Sequence, residues 1–117
     1  MSKTDEKNVA IGKRLRLARE QAGLSQGQVA KKLGLHRPSI TETEAGRRKA
    51  SPQELVELAR LYDVSIDWLV NADTDEVDTR RDKLQLVARK LAKLKQEDLD
   101  LVLQVLASLK TEGDEEE

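Results

Sequence analysis

The segment LSQGQVAKKLGLHRPSITETEAG, residues 24–46, combines hydrogen-bonding side chains with a regular apolar spacing. Leu35 and Ile40 are spaced to bury the underside of a short helix, so the polar residues between them face outward. One of these, Arg37, carries a forked set of donors that suits either the O6 and N7 acceptors of guanine or the oxygens of a phosphate. This spacing predicts an accessible polar surface, and the residue type of Arg37 leaves the choice between base and phosphate open.

The residues around this site predict two short helices joined by a tight turn. Ser25 is a preferred helix N-cap, and Gly34 can adopt the left-handed conformation that ends a helix. Ala30 is small enough for the two helices to approach closely. Pro38 is tolerated in the first turn of the second helix because the amide that it lacks would have no helical partner there. Together these signals predict a helix-turn-helix unit.

The rest of the chain also has helical periodicity. Apolar residues recur at three- and four-residue steps, and no run shows the sustained alternation of a β-strand. We therefore predict an all-α fold. The predicted helices lie at about 9–22, 26–33, 37–45, 52–62, 66–70, 79–94 and 96–109.

The predicted domain organisation follows from these helices. The first five helices predict a compact domain over residues 9–72, and the acidic, weakly apolar stretch at 73–78 predicts a linker. Residues 79–110 predict a C-terminal helical hairpin. The polar start of the chain, residues 1–8, and its acidic end, residues 111–117, are predicted to be disordered.

The C-terminal helical hairpin is predicted to mediate dimerisation. Its second helix carries apolar residues on more than one face, and a single neighbouring helix cannot cover all of them. We therefore expect packing against a second copy of the chain, and docking back onto residues 9–72 is the alternative. The predicted interface residues are Leu84, Val87, Leu91, Leu99, Val102, Leu103, Leu106 and Leu109.

Charge is distributed unevenly along the chain, although the formal net charge is only −1. Residues 1–72 hold an excess of Lys and Arg, whereas residues 73–117 hold an excess of Asp and Glu. The basic excess coincides with the helix-turn-helix segment, as binding to a polyanion requires. The acidic ending, TEGDEEE, predicts a solvated tail, and the alternatives are that it reduces non-specific contact with DNA or mimics phosphate groups.

Composition argues against several classes of function. The chain has no cysteine and one histidine, so we expect no disulfide, no zinc site and no other cofactor. We predict that it is not an enzyme, because no nucleophile, base and orienting group are grouped and no Gly-rich phosphate loop occurs. The polar first residues and the lack of a long apolar stretch predict a cytoplasmic protein without a membrane partner.

Three stretches of the chain resemble one known family. LSQGQVAKKLG is similar to the second helix and turn of the Xre family, the helix-turn-helix group that includes the repressors and Cro proteins of lambdoid phages. EAGRR resembles the end of the family's third helix, and LARLYDVSIDWLV resembles its closing helices. Arg19 and Glu44 match a family pair that ties the first helix to the third, and we interpret them as structural. The resemblance implies a lambda-repressor-like domain of five helices, whose third helix enters the major groove of double-stranded DNA.

The resemblance also implies which residues read the bases. The outward positions of the third helix are His36, Arg37, Pro38, Thr41 and Glu42, and a phosphate or capping role is the alternative for the histidine. Thr41 offers a methyl group to thymine, and Glu42 can accept from N4 of cytosine or instead orient Arg37. Pro38 replaces the polar residue usual at its position and offers only apolar contact, so no relative's operator sequence can be carried over.

Contacts to phosphate are implied beside these positions. Gln26 resembles the family's phosphate-binding glutamine, and the amides at the start of its helix favour the same anion. Arg47, Arg48 and Lys49 follow the third helix where the family meets the DNA backbone, although a solvated basic loop is the alternative. The predicted phosphate-binding set is Ser25, Gln26, Gln28, Ser39, Arg47, Arg48 and Lys49.

These features predict a sequence-specific transcriptional regulator that binds double-stranded DNA. One recognition helix reads only a few base pairs, so useful specificity calls for two half-sites about 34 Å apart, one turn of DNA, or a multiple of that distance. We expect a homodimeric repressor at a palindromic or pseudopalindromic operator. The alternative is an antitoxin-like or anti-regulator module whose C-terminal hairpin binds a partner protein.

Overall fold

The computed structural model describes residues 2–72 and 79–110. Within these ranges the chain is helical and contains no β-strand, which confirms the predicted all-α class. The predicted linker at 73–78 and the predicted tail at 111–117 lie outside the described residues. The helices are α1 (Lys3–Gln21), α2 (Gln26–Leu33), α3 (Arg37–Glu44), α4 (Pro52–Tyr62), α5 (Ile66–Val70), α6 (Thr79–Leu91) and α7 (Gln96–Ser108).

α1 begins earlier than the sequence indicated. It starts at Lys3, so the prediction of disorder over residues 1–8 is wrong for residues 2–8. The hydroxyl of Ser2 accepts the amide of Asp5 at 3.1 Å, which satisfies one of the amides left free at a helix start. Acidic side chains in the first turn also interact favourably with the helix dipole. The polar segment at residues 2–8 is therefore helical because Ser2 caps the helix and Asp5 and Glu6 are favourable in its first turn.

α2 and α4 begin at the predicted capping residues. Ser25 and Ser51 each form a reciprocal capping box, in which Gln28 and Glu54 return a side-chain hydrogen bond to the backbone of the cap. Gly34 ends α2 in the left-handed conformation, with a φ of 70°. Because these hydrogen bonds join residues close in sequence, the helix boundaries could be predicted without knowledge of the tertiary structure.

The core of the first five helices is built mainly from aliphatic side chains. α1 packs against α3, α4 and α5, while α2 packs against α3 and α4 packs against α5. α2 and α3 therefore form a helix-turn-helix, and α1 packs against the α3 helix of this unit. The largest buried core residues include Leu15, Val29, Ile40, Leu58, Tyr62 and Leu69.

Two glycines allow α1 to contact the C-terminal end of α3. A Cβ atom on Gly12 would lie 2.4 Å from the carbonyl oxygen of Glu44, so only glycine permits this approach. Gly46 has a φ of 82°, and a Cβ atom there would lie 2.6 Å from the Cα of Val9. The end of α3 is therefore positioned by close contact between its backbone and α1.

The first compact unit extends past the predicted boundary at residue 72 and ends at Lys83, inside α6. Asp82, in the first turn of α6, has a relative exposure of only 1%, and its two oxygens accept from Arg14 at 3.0 and 3.2 Å. Arg14 lies over the ring of Trp68, 4.9 Å from the ring centroid, and also donates to the carbonyl of that residue. The start of α6 therefore belongs to the first unit rather than to the predicted C-terminal hairpin.

The second unit begins at Leu84 and contains the rest of α6 and all of α7. The two predicted helices are present, although α6 ends at Leu91 because residues 92–94 form a turn. No residue of α7 is buried. The exposed large apolar residues of the second unit are Leu84, Val87, Leu94, Leu101, Leu103, Val105, Leu106 and Leu109. Most of the apolar surface of α7 is therefore in contact with water in the single chain.

Candidate nucleic-acid interface

α3 presents one side to solvent and buries the other. Ile40, Thr43 and Glu44 lie on the buried side, which packs against α1 and α2. The predicted base-reading residues lie on the remaining side or at the helix start, and all are exposed or half-buried: His36, Arg37, Pro38, Thr41 and Glu42. His36 is the N-cap of α3, and its side chain makes no capping hydrogen bond. The structure therefore brings these five positions together on one accessible surface.

Glu44 connects α3 to α1 through a charged pair. Arg19 donates to the two carboxylate oxygens of Glu44 at 2.7 and 3.1 Å, and its third contact is to the carbonyl of Leu24 at 2.9 Å. The pKa of Arg19 is raised, chiefly because of the hydrogen bond to Glu44. Both side chains are largely buried, so this pair joins helices rather than contacting a ligand. The structural role predicted for Arg19 and Glu44 is confirmed.

A hydrogen-bonded chain extends from this pair to the exposed side of α3. Nε2 of Gln26 donates to Glu44 at 3.0 Å, and Oε1 of Gln26 accepts from the hydroxyl of Thr41 at 2.9 Å. The amide of Gln26 is thereby oriented, and one of its two N–H donors remains for another acceptor. The carbonyl of Arg37, at 3.3 Å, is a second acceptor for the hydroxyl of Thr41. Because the proton is used within the chain in either case, the methyl group and an oxygen lone pair are what Thr41 can present to DNA.

An open cleft lies at the N-terminus of α2. It is lined by Arg16, Arg19, Ser25, Gln26, Gly27 and Arg37. Arg16 is paired with Glu20 at 2.8 Å and Arg19 with Glu44, so the positive end of the α2 dipole and the guanidinium of Arg37 are the groups here that favour an anion. Arg16 was not among the predicted phosphate-binding residues. The signal in the sequence was its position three residues before Arg19, which places both arginines on one side of α1.

One of the predicted phosphate-binding residues, Gln28, has a local structural role. The side-chain oxygen of Gln28 accepts the amide of Ser25 at 2.8 Å as part of the capping box, so only its amide N–H groups remain for a ligand. Ser39 is half-buried, and its carbonyl accepts from the hydroxyl of Thr43 at 2.7 Å. The capping box accounts for the side chain of Gln28 without DNA, whereas Ser25 and Gln26 line the cleft.

Arg48 is half-buried, and its guanidinium is bound to other side chains of the first unit. It donates to both carboxylate oxygens of Glu54 at 2.8 and 3.2 Å and to the hydroxyl of Thr43 at 3.0 Å. The hydrogen bonds from Arg48 lower the pKa of Glu54. Arg48 therefore ties the loop after α3 to the start of α4, and the expected phosphate contact is not supported for it. Lys49, the next residue, is exposed.

Glu42 is paired with Arg47 on the exposed surface at the end of α3. Nε and Nη2 of Arg47 donate to the two carboxylate oxygens at 2.5 and 3.2 Å. The pKa of Glu42 is lowered, chiefly because of this hydrogen bonding, and the pKa of Arg47 is raised for the same reason. The carboxylate of Glu42 therefore pairs with Arg47 and not with Arg37, the partner that the alternative gave it.

Features of a membrane span and of a metal site are both absent from the described residues. None of the helices there combines the length and the apolar composition needed to cross a membrane. Residues 2–72 and 79–110 also contain no group of His, Cys, Asp and Glu side chains arranged to hold a metal ion.

Comparison with known proteins relates this surface to a family. A family profile described as a helix-turn-helix domain matches residues 10–69. The chain is 32% identical over 91 residues to the HTH-type transcriptional regulator ImmR of Bacillus subtilis (strain 168), a match that covers 77% of this chain and 72% of that protein. It is 36% identical over 62 residues to the uncharacterized HTH-type transcriptional regulator YqaE of the same strain and covers 53% of that protein's length. It is 38% identical over 73 residues to the uncharacterized HTH-type transcriptional regulator YobD and covers 64% of it.

The matched region contains the structural parts described above. Residues 10–69 include α2, the turn at Gly34, α3 and the cleft at the N-terminus of α2. The relatives are named as transcriptional regulators and not as enzymes. The helix-turn-helix with its accessible α3 surface and these matches lead to one conclusion: the chain belongs to the Xre-type helix-turn-helix family of DNA-binding transcriptional regulators.

Proposed function

We propose that this chain represses transcription as a homodimer bound to a palindromic or pseudopalindromic operator. The proposal that α3 reads DNA bases is supported by its accessible side, which lies next to the cleft at the N-terminus of α2. With α3 in the major groove, a phosphate bound in that cleft sets the register of the helix along the duplex. Lys49, beyond the other end of α3, supplies a second contact to the DNA backbone.

Arg37 is the main base-reading residue in this proposal. It is exposed in the first turn of α3 and also lines the cleft, so its guanidinium can reach either a base edge or a phosphate. A bidentate contact to guanine discriminates between base pairs by about 1–3 kcal/mol. Arg37→Ala should therefore relax the preference at one base pair by about this amount, as measured by selection from a random duplex pool and by titration of single-pair variants.

A second exposed cation provides the control for this variant. Lys32, at the end of α2, lines a different cleft together with Glu57 and Arg60. Lys32→Ala should leave both the preferred sequence and the dependence of affinity on salt concentration close to those of the original chain. Equal loss of affinity for every duplex in Arg37→Ala would assign Arg37 to a phosphate instead of a base.

Dimerisation is supported by the exposed apolar surface of α7. The exposed fractions of three leucines there are 55% for Leu103, 51% for Leu106 and 55% for Leu109. A contiguous apolar surface exposed to this degree is typical of a site that binds another protein. Of the other predicted interface residues, Leu84 and Val87 are exposed, and Leu91, Leu99 and Val102 are half-buried. Burial of this surface against a second copy would place two recognition helices on one operator.

A single charge in this surface tests the dimer. Leu106→Asp should convert a dimer into a monomer, because association would bury an unpaired carboxylate. The matched control is Gln104→Asp, which adds the same charge on the polar side of α7. Molar mass by light scattering gives the result, and operator affinity should fall in parallel with the loss of dimer. A monomeric original chain, or an unchanged dimer in Leu106→Asp, would contradict the proposed interface.

The same exposed surface favours one second candidate. An antitoxin-like or anti-regulator module would use α7 to bind a different protein, with DNA binding secondary. This candidate predicts a chain that aggregates alone and becomes monodisperse when a partner is co-expressed, whereas the repressor predicts a stable dimer of the chain by itself. A promoter reporter that contains the selected operator completes the test, because repression requires lower transcription when the chain is present.

A further inference from the structure

Glu42 places a negative charge on the exposed side of α3, next to the positive charge of Arg47. Glu42 is an acidic residue on the side of α3 that faces DNA in the proposed function, where phosphate groups repel negative charge. The structure supplies the compensating charge locally, because Arg47 donates to both oxygens of its carboxylate. An acid held in this way can approach DNA with less repulsion than a free carboxylate.

The backbone fixes the two residues relative to each other. The carbonyl oxygen of Glu42 accepts the amides of Arg47 and Arg48 at 2.9 and 3.1 Å, and Gly46 turns the chain between them with a φ of 82°. The side chain of Arg48 is anchored in turn by Glu54. Arg47 therefore starts from a constrained backbone position, and its reach to Glu42 does not depend on a mobile loop.

Hydrogen-bonding capacity remains on the carboxylate after this pairing. A carboxylate has about four acceptor positions, and Arg47 uses one on each oxygen. The remaining positions can only accept, so they suit a base that presents an amino group in the major groove, namely N4 of cytosine or N6 of adenine. Guanine and thymine present acceptors at the corresponding edge and would be disfavoured.

We propose that Arg47 is a specificity-determining positioning residue: it holds the Glu42 carboxylate toward an exocyclic amino group of cytosine or adenine, instead of serving mainly as a phosphate contact. This inference rests on the proposed function, because it requires α3 to lie in the major groove. It assigns different roles to two neighbouring cations. Arg47 acts through a base contact, and the exposed Lys49 acts through the DNA backbone.

The test uses the full-length chain, its selected duplex and every single base-pair variant of that duplex. Glu42→Gln should relax the preference at one base pair by roughly 5- to 150-fold, the range expected for one good base contact. Arg47→Ala should relax the preference at that same base pair, although Arg47 itself contacts no base. The double variant Glu42→Gln with Arg47→Ala should lose no more base preference than Glu42→Gln alone, because both substitutions remove the same base contact.

Lys49→Ala is the matched control, since it removes the same charge from the same loop. It should weaken binding to all duplexes alike and reduce the dependence of affinity on salt concentration, without changing the preferred base. Urea unfolding of the Arg47 and Lys49 variants should match that of the original chain, because both side chains are exposed.

The outcomes separate this inference from the proposed function. If Arg47→Ala behaves like Lys49→Ala and keeps the original base preference, Arg47 is a phosphate contact and the inference is overturned. The same conclusion follows if Glu42→Gln and Arg47→Ala affect different base pairs. If the original chain shows no salt-dependent binding to any duplex, the proposed function itself fails, and the role of Arg47 fails with it.

Discussion

Replacement of Asp82 by alanine should lower the free energy of unfolding by about 3–5 kcal/mol, because it leaves the buried guanidinium of Arg14 without its charged partner. The two side chains expose only 2% and 7% of their surface, so water cannot take the place of the carboxylate. Urea unfolding of the full chain measures the effect. Asp67→Ala is the control, since Asp67 is an exposed acid in the first turn of α5 and should cost only about 0.3–1 kcal/mol.

A double variant tests whether the stability lost in Asp82→Ala comes from leaving the buried charge of Arg14 unpaired. Arg14→Met combined with Asp82→Leu replaces the ion pair by apolar side chains and should recover most of the stability lost in Asp82→Ala. If Asp82→Ala were no more destabilising than Asp67→Ala, the first turn of α6 would not be part of the first unit, and the boundary inside α6 would be wrong.

Replacement of Gly12 by alanine should be the second large effect. The added Cβ would lie 2.4 Å from the carbonyl oxygen of Glu44 and 2.7 Å from that of Thr43, and backbone atoms cannot move aside as a flexible side chain can. Overpacking of this kind costs about 1–3 kcal/mol. The strain falls on the end of α3, so duplex affinity should fall together with the stability measured by urea unfolding.

Gly27 provides the matched control for this substitution. It also lies in a helix, but a Cβ there would have no neighbour closer than 3.9 Å, the hydroxyl oxygen of Ser25. Gly27→Ala should therefore stabilise the chain by about 0.5–1 kcal/mol, since alanine loses less conformational entropy than glycine in a helix. Equal stability of the two variants would mean that α1 and α3 can separate at low cost.

Much of the first unit was predictable because its signals are local. Ser25, Gly34 and Ser51 act on amides and carbonyls within a few residues, so the boundaries of α2 and α4 follow from residue type and spacing. The outward side of α3 follows from the spacing of Leu35 and Ile40 in the same way. The family resemblance then supplied the pair of Arg19 and Glu44, which the structure confirms.

The ion pairs of the candidate site were less predictable, because each arginine there has several acidic side chains near it in the sequence. Arg47, Arg48 and Lys49 form one basic run in the sequence, yet Arg47 pairs with Glu42, Arg48 pairs with Glu54, and Lys49 is exposed. An arginine can reach any of several acids near it in the sequence. The path of the backbone after Gly46 decides which acid lies within hydrogen-bonding distance, and residue type alone does not contain that path.

The sequence by itself determined the all-α class, the positions of α2 to α5 and the accessible side of α3, because periodicity and capping depend on neighbours along the chain. The tertiary structure alone decided that Gly12 must lack a side chain and that Asp82 is buried against Arg14. Asp82 meets Arg14 across a separation of 68 residues, and no local rule links positions so far apart. Their contact exists only because the packed helices bring both side chains to one place.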